Sequence, residues 1–135
     1  MRRGRLAVGS ALALFALVLA AGVAIARAKP VPPARLQVVA EEFSFSLSRQ
    51  WIKEGQAVIE PANFGEDGHD LRMRRLPAGK TIYKTPEIHP GRAGYIRAKL
   101  TAGRFVLWCS IANHRAEGME ANLTVKKPPK PRQRG

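Results

Sequence analysis

Between about residues 36 and 126 apolar and polar side chains alternate with a period of two, not 3.6. Phe43, Phe45 and Leu47 alternate with Glu42, Ser44, Ser46 and Ser48. Gly55 marks a turn before Ala57-Val58-Ile59, and Pro61 suits the end or edge of that short strand. His69, Leu71 and Met73 alternate with Asp70, Arg72 and Arg74, and Ile96, Ala98 and Leu100 with Arg97, Lys99 and Thr101. After a turn at Gly103 come Phe105-Val106-Leu107-Trp108-Cys109, then Ala121, Leu123 and Val125 alternating with Asn122, Thr124 and Lys126. Gly, Pro, Asn and Asp punctuate the gaps. The pattern predicts an all-β domain, an antiparallel β-sandwich or barrel of about seven to eight strands. A single helical turn is expected around Thr81 to Glu87.

The flanks differ from this body. Arg2, Arg3 and Arg5 precede an almost wholly apolar stretch from Leu6 to Ala26, and Ala26-Arg27-Ala28 is a small-x-small cleavage pattern. Residues 1–28 therefore read as a signal peptide or, if retained, an uncleaved membrane anchor helix, since 6–26 is long enough to span. Either fate places the rest of the chain outside the cytoplasm, periplasmic or otherwise extracytoplasmic. Residues 29–35 read as a Pro-rich linker, 36–126 as the domain, and 127–135 as a basic, Pro-rich disordered tail. The flanks also explain much of the formal charge of +13: residues 29 to 125 hold 14 basic and 10 acidic side chains, about +4. With only 135 residues, the chain has room for one domain with appendages. One Cys and three His exclude an internal disulfide and any zinc site needing two thiolates.

Strand parity brings candidate chemistry together. His69 shares parity with Leu71 and Met73, Cys109 with Phe105 and Leu107, and Met119 with Ala121, Leu123 and Val125. All three side chains are thus expected on the core side at strand ends. His114 lies midway along the nine-residue connection from Cys109 to Met119, from which it can fold back over those ends. Two imidazoles and a thiolate in a plane, with a weak thioether above, suit copper in both oxidation states. Zinc prefers four strong ligands, and Met is a poor one. A thiol left unpaired in an oxidising compartment is a liability unless something occupies it. His89, in Glu87-Ile88-His89-Pro90-Gly91, has no such partners and reads as a surface turn residue.

The run Leu107-Trp108-Cys109-Ser110-Ile111-Ala112-Asn113-His114-Arg115-Ala116-Glu117-Gly118-Met119 resembles the metal loop of small blue copper proteins, the plastocyanin/azurin-like cupredoxins. Asn63-Phe64-Gly65 followed by His69 is similar to that family's first-ligand segment, and Phe43-Ser44-Phe45 looks like its opening strand. The resemblance implies a Greek-key sandwich, one type 1 copper ion cycling between Cu(II) and Cu(I), and outer-sphere electron transfer. It implies His69, Cys109 and His114 as equatorial ligands and Met119 as the axial one. Many relatives carry Pro-Gly before the second His; Ala112-Asn113 stands there here, so Asn113 is expected to supply the positive φ. Asp70 either ties the two ligand loops together near Ser110 or is an ordinary solvated carboxylate.

The leading function is therefore a one-electron carrier and not an enzyme: three His cannot furnish the further coppers of oxidases or nitrite reductases. The alternative is extracytoplasmic copper delivery or buffering, which favours exposed Met-rich sites; only three Met occur, one of them the initiator. The basic tail suits an acidic redox protein partner or an anionic membrane surface. Nucleic acid is not expected, because basic and aromatic residues do not interleave. A monomer is expected.

Overall fold

The computed structural model describes residues 29–130. Residues 1–28, for which a signal peptide or membrane anchor is expected, and residues 131–135 of the basic tail lie outside them. The described chain is all-β, with nine strands in two sheets. Strands β1 (Ala34–Glu41), β2 (Ser44–Leu47), β4 (Gly55–Asn63) and β7 (Ile96–Leu100) form one sheet, in the order β2-β1-β4-β7. Strands β3 (Trp51–Lys53), β5 (Arg72–Arg75), β6 (Tyr83–Lys84), β8 (Gly103–Trp108) and β9 (Glu120–Lys126) form the other, in the order β3-β9-β8-β5-β6.

The alternation does what it predicts in β5, β7, β8 and β9. Met73, Ile96, Leu100, Phe105, Leu107, Leu123 and Val125 are all buried between the sheets. Burying such side chains is worth about 1.5–3 kcal/mol each, the main favourable term in a sandwich this small. Among the described residues the buried core runs from Leu36 to Val125, with Ala34 packed against it.

Four features depart from the expected plan. The opening strand is β1, not the Phe43-Ser44-Phe45 segment, which belongs to the hairpin partner β2. Ala34 and Arg35 already pair with Ala57 and Val58, so the linker ends at Pro33. Two pairings are parallel, β1 with β4 and β3 with β9, because the chain crosses between sheets before and after β3. Alternation reports which face a side chain takes, not strand direction. Finally, no helical turn forms at 81–87. Pro86 pushes Thr85 towards extended backbone, and β5 captures the segment as an edge: Thr85 N–H donates to Leu71 O at 3.0 Å.

Pro61 lies inside β4, yet it costs no ladder bond. Its carbonyl side faces Gly94, beyond Ile59, the last residue of β4 paired with β7, so the missing N–H has no strand carbonyl to meet.

Candidate metal centre

Three separate elements deliver the donor atoms to one end of the sandwich. His69 precedes β5 and is held by a two-way bridge to Ile88, at 3.2 Å for its N–H and 2.6 Å for its carbonyl. Cys109 follows β8 directly, and its N–H donates to Met119 O at 3.1 Å. His114 sits in the connecting loop, which folds into successive turns. His114 N–H donates to Ile111 O at 3.1 Å and Met119 N–H to His114 O at 3.0 Å. The loop thus closes on itself and returns its central imidazole over the strand ends.

The nitrogen and sulfur donors of His69, Cys109 and His114 all lie within 4.8 Å of one another, and all three residues are buried. His69 Nδ1 is 3.2 Å from His114 Nδ1, which is 3.7 Å from Cys109 Sγ. Met119 is fully buried in the same cluster as Cys109, tied through its backbone to both Cys109 and His114. His89 is exposed and takes no part.

A hydrogen-bond network orients the donors. His69 Nε2 lies 3.0 Å from Glu42 Oε1. An ionised carboxylate only accepts, so Nε2 carries the hydrogen and a neutral His69 directs the Nδ1 lone pair inward. Glu42 is itself clamped: its Oε1 accepts from Asp67 N–H at 2.8 Å and Glu66 N–H at 3.0 Å. These bonds, Asp67 first, hold its carboxyl down at about 2 against the opposing effect of desolvation. The loop fits closely around it, and a side chain at Gly65 would collide with the Glu42 carboxylate. Nothing in the alternation distinguishes Glu42 from its neighbours, because its role depends on a turn between β1 and β2 meeting a loop more than twenty residues later.

Asp70 links the two ligand segments. Its Oδ1 accepts from Ser110 N–H at 2.6 Å, and its Oδ2 from Ser110 Oγ–H at 2.6 Å and Arg72 Nε–H at 3.1 Å. Burial pushes the carboxyl up, but the Ser110 and Arg72 bonds outweigh it and hold Asp70 below its ordinary range. Of the two readings of Asp70, the solvated one therefore falls. Burial pushes the Cys109 thiol up, so a thiolate there needs a cation's charge.

Asn63 organises the first segment. Its Oδ1 accepts from Gly65 N–H at 2.9 Å, and its Nδ2 donates to Asp67 O at 2.6 Å and to Ile88 O at 2.8 Å. That is an Asx turn braced against Ile88, the residue that bridges His69. In the second segment the positive φ belongs to Ala112, at 44°, and not to Asn113. Asn113 instead donates to Glu117 Oε1 at 3.0 Å.

The outer edge of the site is apolar. The Phe43 ring packs on His114 with centroids 4.7 Å apart, and His114 is only 7% exposed. Trp108 points away from the site, and the Arg115 guanidinium lies 4.9 Å from its ring centre.

No protein-family model and no curated protein matches the chain. Solved structures do. The dithionite-reduced auracyanin of the photosynthetic bacterium Roseiflexus castenholzii superposes with a TM-score of 0.57 at 17% identity, covering 68% of this chain and 96% of that one. Auracyanin A, a "blue" copper protein of the green thermophilic bacterium Chloroflexus aurantiacus, gives 0.57 at 15%, covering 70% and 100%. A reduced Cu(I) form of an amicyanin mutant gives 0.50 at 16%, covering 71% and 86%. At such identities the likeness is one of fold, and the fold is cupredoxin-like. The donor chemistry is this chain's own: a buried His–Cys–His group with a buried Met alongside fits one type 1 copper ion.

Proposed function

We propose that this protein is an exported, mononuclear copper protein that carries single electrons between redox partners, with His69, Cys109, His114 and Met119 as the ligands. The observation that carries the reading is the convergence of the three buried donors from three elements. Copper held there would supply a one-electron couple, Cu(II)/Cu(I).

The residues contribute the rest. Glu42 holds His69 in one tautomer and one ring orientation, so Nδ1 is ready as a donor without rearrangement. Asp70 fixes Ser110, the residue after Cys109, to the segment bearing His69, so the thiol and the first imidazole move as one unit. A site held this way from both sides changes little between charge states, which keeps the barrier to electron exchange low. His114, the donor residue nearest the surface, gives electrons a short path outward past Phe43.

Burial also supports the carrier over its alternative. Copper delivery needs ligands a receiving protein can reach, and His69 and Cys109 are fully enclosed. A nucleophilic role for Cys109 meets the same obstacle.

The charge distribution bears on the partner. Glu41, Glu66, Asp67, Glu87 and Glu117 are exposed around the metal end and outnumber the exposed cations Arg92 and Arg115, the latter paired with Glu120. Lys127 and Lys130, the described cations of the basic tail that suggested an acidic partner, follow β9 at the opposite end. For docking at His114 we therefore favour a partner with a cationic rim.

Visible and electron paramagnetic resonance spectra of the Cu(II)-loaded protein test the assignment. An intense sulfur-to-copper charge-transfer band with narrow hyperfine splitting is expected, and both should vanish in Cys109→Ser. A pale tetragonal spectrum unchanged by the substitution would overturn it.

A further inference from the structure

The end of the sandwich remote from the donors is built differently. β3, the start of β1 and the finish of β9 meet there, with Lys53 paired to Lys126 and Ile52 to Val125. Arg35, Arg49, Lys53, Lys126, Lys127 and Lys130 are all exposed at or just beyond this end. Glu54, the carboxylate on the turn into β4, is engaged in accepting from Ala102 N–H at 3.1 Å. Among these cations lies a groove of about 580 Å³, walled by Arg35, Arg49, Trp51, Ile52 and Lys53. Trp51 is 47% exposed, with Lys126 Nζ 4.6 Å from its ring centre, and nearby in the chain Val31 is 87% exposed.

We infer that this end is a docking surface for an anionic phospholipid bilayer, which holds the metal end facing away from the membrane. Clustered cations supply attraction to lipid phosphates, about fivefold in affinity for each residue near the surface. An exposed indole bracketed by Arg49 and Lys53 is interfacial chemistry: its apolar face suits the acyl boundary and its N–H the headgroups. Val31 adds an exposed apolar side chain. Val31–Pro33 feeds β1 at this end and 127–130 leaves β9 here, so the C-terminal flank brings Lys127 and Lys130 to the same surface. The opposite end, rimmed by carboxylates, would be repelled by such a membrane. One surface attracts while the other is turned outward, so attachment and orientation have a single cause.

The test uses metal-free residues 29–135, since the core lies wholly within them, and it does not depend on the copper assignment. Co-sedimentation with phosphatidylcholine vesicles is compared with vesicles containing phosphatidylglycerol. Binding is expected only to the anionic vesicles and should weaken as salt rises. Arg49→Gln with Lys53→Gln should cost about 25-fold while leaving the melting midpoint unchanged. Brominated lipid should quench Trp51 and spare Trp108, which stands beside Cys109 at the other end, and quenching should disappear in Trp51→Phe. Equal binding to neutral vesicles, no binding, or wild-type binding by the double variant would overturn the inference. So would quenching that survives in Trp51→Phe, or release of the vesicle-bound protein by soluble polyglutamate or single-stranded DNA at matched charge, either of which would mark a general polyanion site.

Discussion

The two ends of this sandwich use polar groups in opposite ways. At the metal end, side chains are spent on one another. Glu42 is engaged by Asp67, Glu66 and His69, Asp70 by Ser110 and Arg72, and Asn63 by Gly65, Asp67 and Ile88. At the basic end the cations point into solvent, and Lys126 reaches only the face of Trp51. A buried network locates atoms to fractions of an ångström and fails when one member is removed. A solvated charge cluster locates nothing, but it acts over a Debye length of about 8 Å on any surface of opposite sign. The first suits holding an ion, the second finding a surface.

Substitutions should separate these roles, and the largest effect is expected at Asp70. Asp70→Ala removes the acceptor for Ser110 N–H, Ser110 Oγ–H and Arg72, and should lower the stability of the metal-free domain by about 3 kcal/mol. The midpoint of urea unfolding reads this directly; an unmoved midpoint would show that the ligand segments hold together without it. Glu42→Gln comes next. It should weaken copper binding about tenfold, the low end for a group that orients a ligand histidine, because the amide can still accept one bond. Competition against a Cu(I) chelator measures it, and Glu42→Ala should lose more.

The same carboxylate gives a pH signature in the metal-free protein. Folding lowers Glu42 from 4.5 to about 2, so the stability it adds is complete above about 4.5 and is lost as pH falls towards 2. Melting midpoints between these limits should fall with acid, and Glu42→Gln should flatten that part of the slope. A slope unchanged in the variant would assign it to other carboxylates.

Smaller effects bracket the comparison. Ala112 holds a φ of 44°, where glycine is favoured. Ala112→Gly should relieve about 1–2 kcal/mol of strain and return part of it as unfolded-chain entropy, a net gain below about 1 kcal/mol in thermal unfolding. Destabilisation by this change would mean that the Ala112 methyl packs more usefully than its backbone conformation costs. Least of all should the basic end matter for folding: Arg49→Gln with Lys53→Gln should shift stability by less than about 0.5 kcal/mol. A larger shift would make those cations part of the fold instead of a surface laid over it.

Legibility followed the range of the forces involved. That His69, Cys109 and His114 come together was legible because strand parity is local and each lies at the end of an alternating run or midway between two. β3 and β6, of three and two residues, carry no usable alternation and exist only because β9 and β5 offer them an edge. β1 was hidden by the prolines before it and by Val39, an apolar residue on the polar parity.

By itself the sequence determined the all-β class, the faces of the main strands and the residue types available at the candidate site, since each depends on periodicity or residue type within a few positions. Only the tertiary structure decided that Glu42 meets His69, that Asp70 bridges to Ser110, and that carboxylates gather at one end while cations gather at the other. Those are meetings between residues 27 and 40 positions apart or sums over a whole surface. They arise when the two sheets close: the chain left Asp70 open between two readings, and no local pattern in it anticipates that Glu42 meets His69.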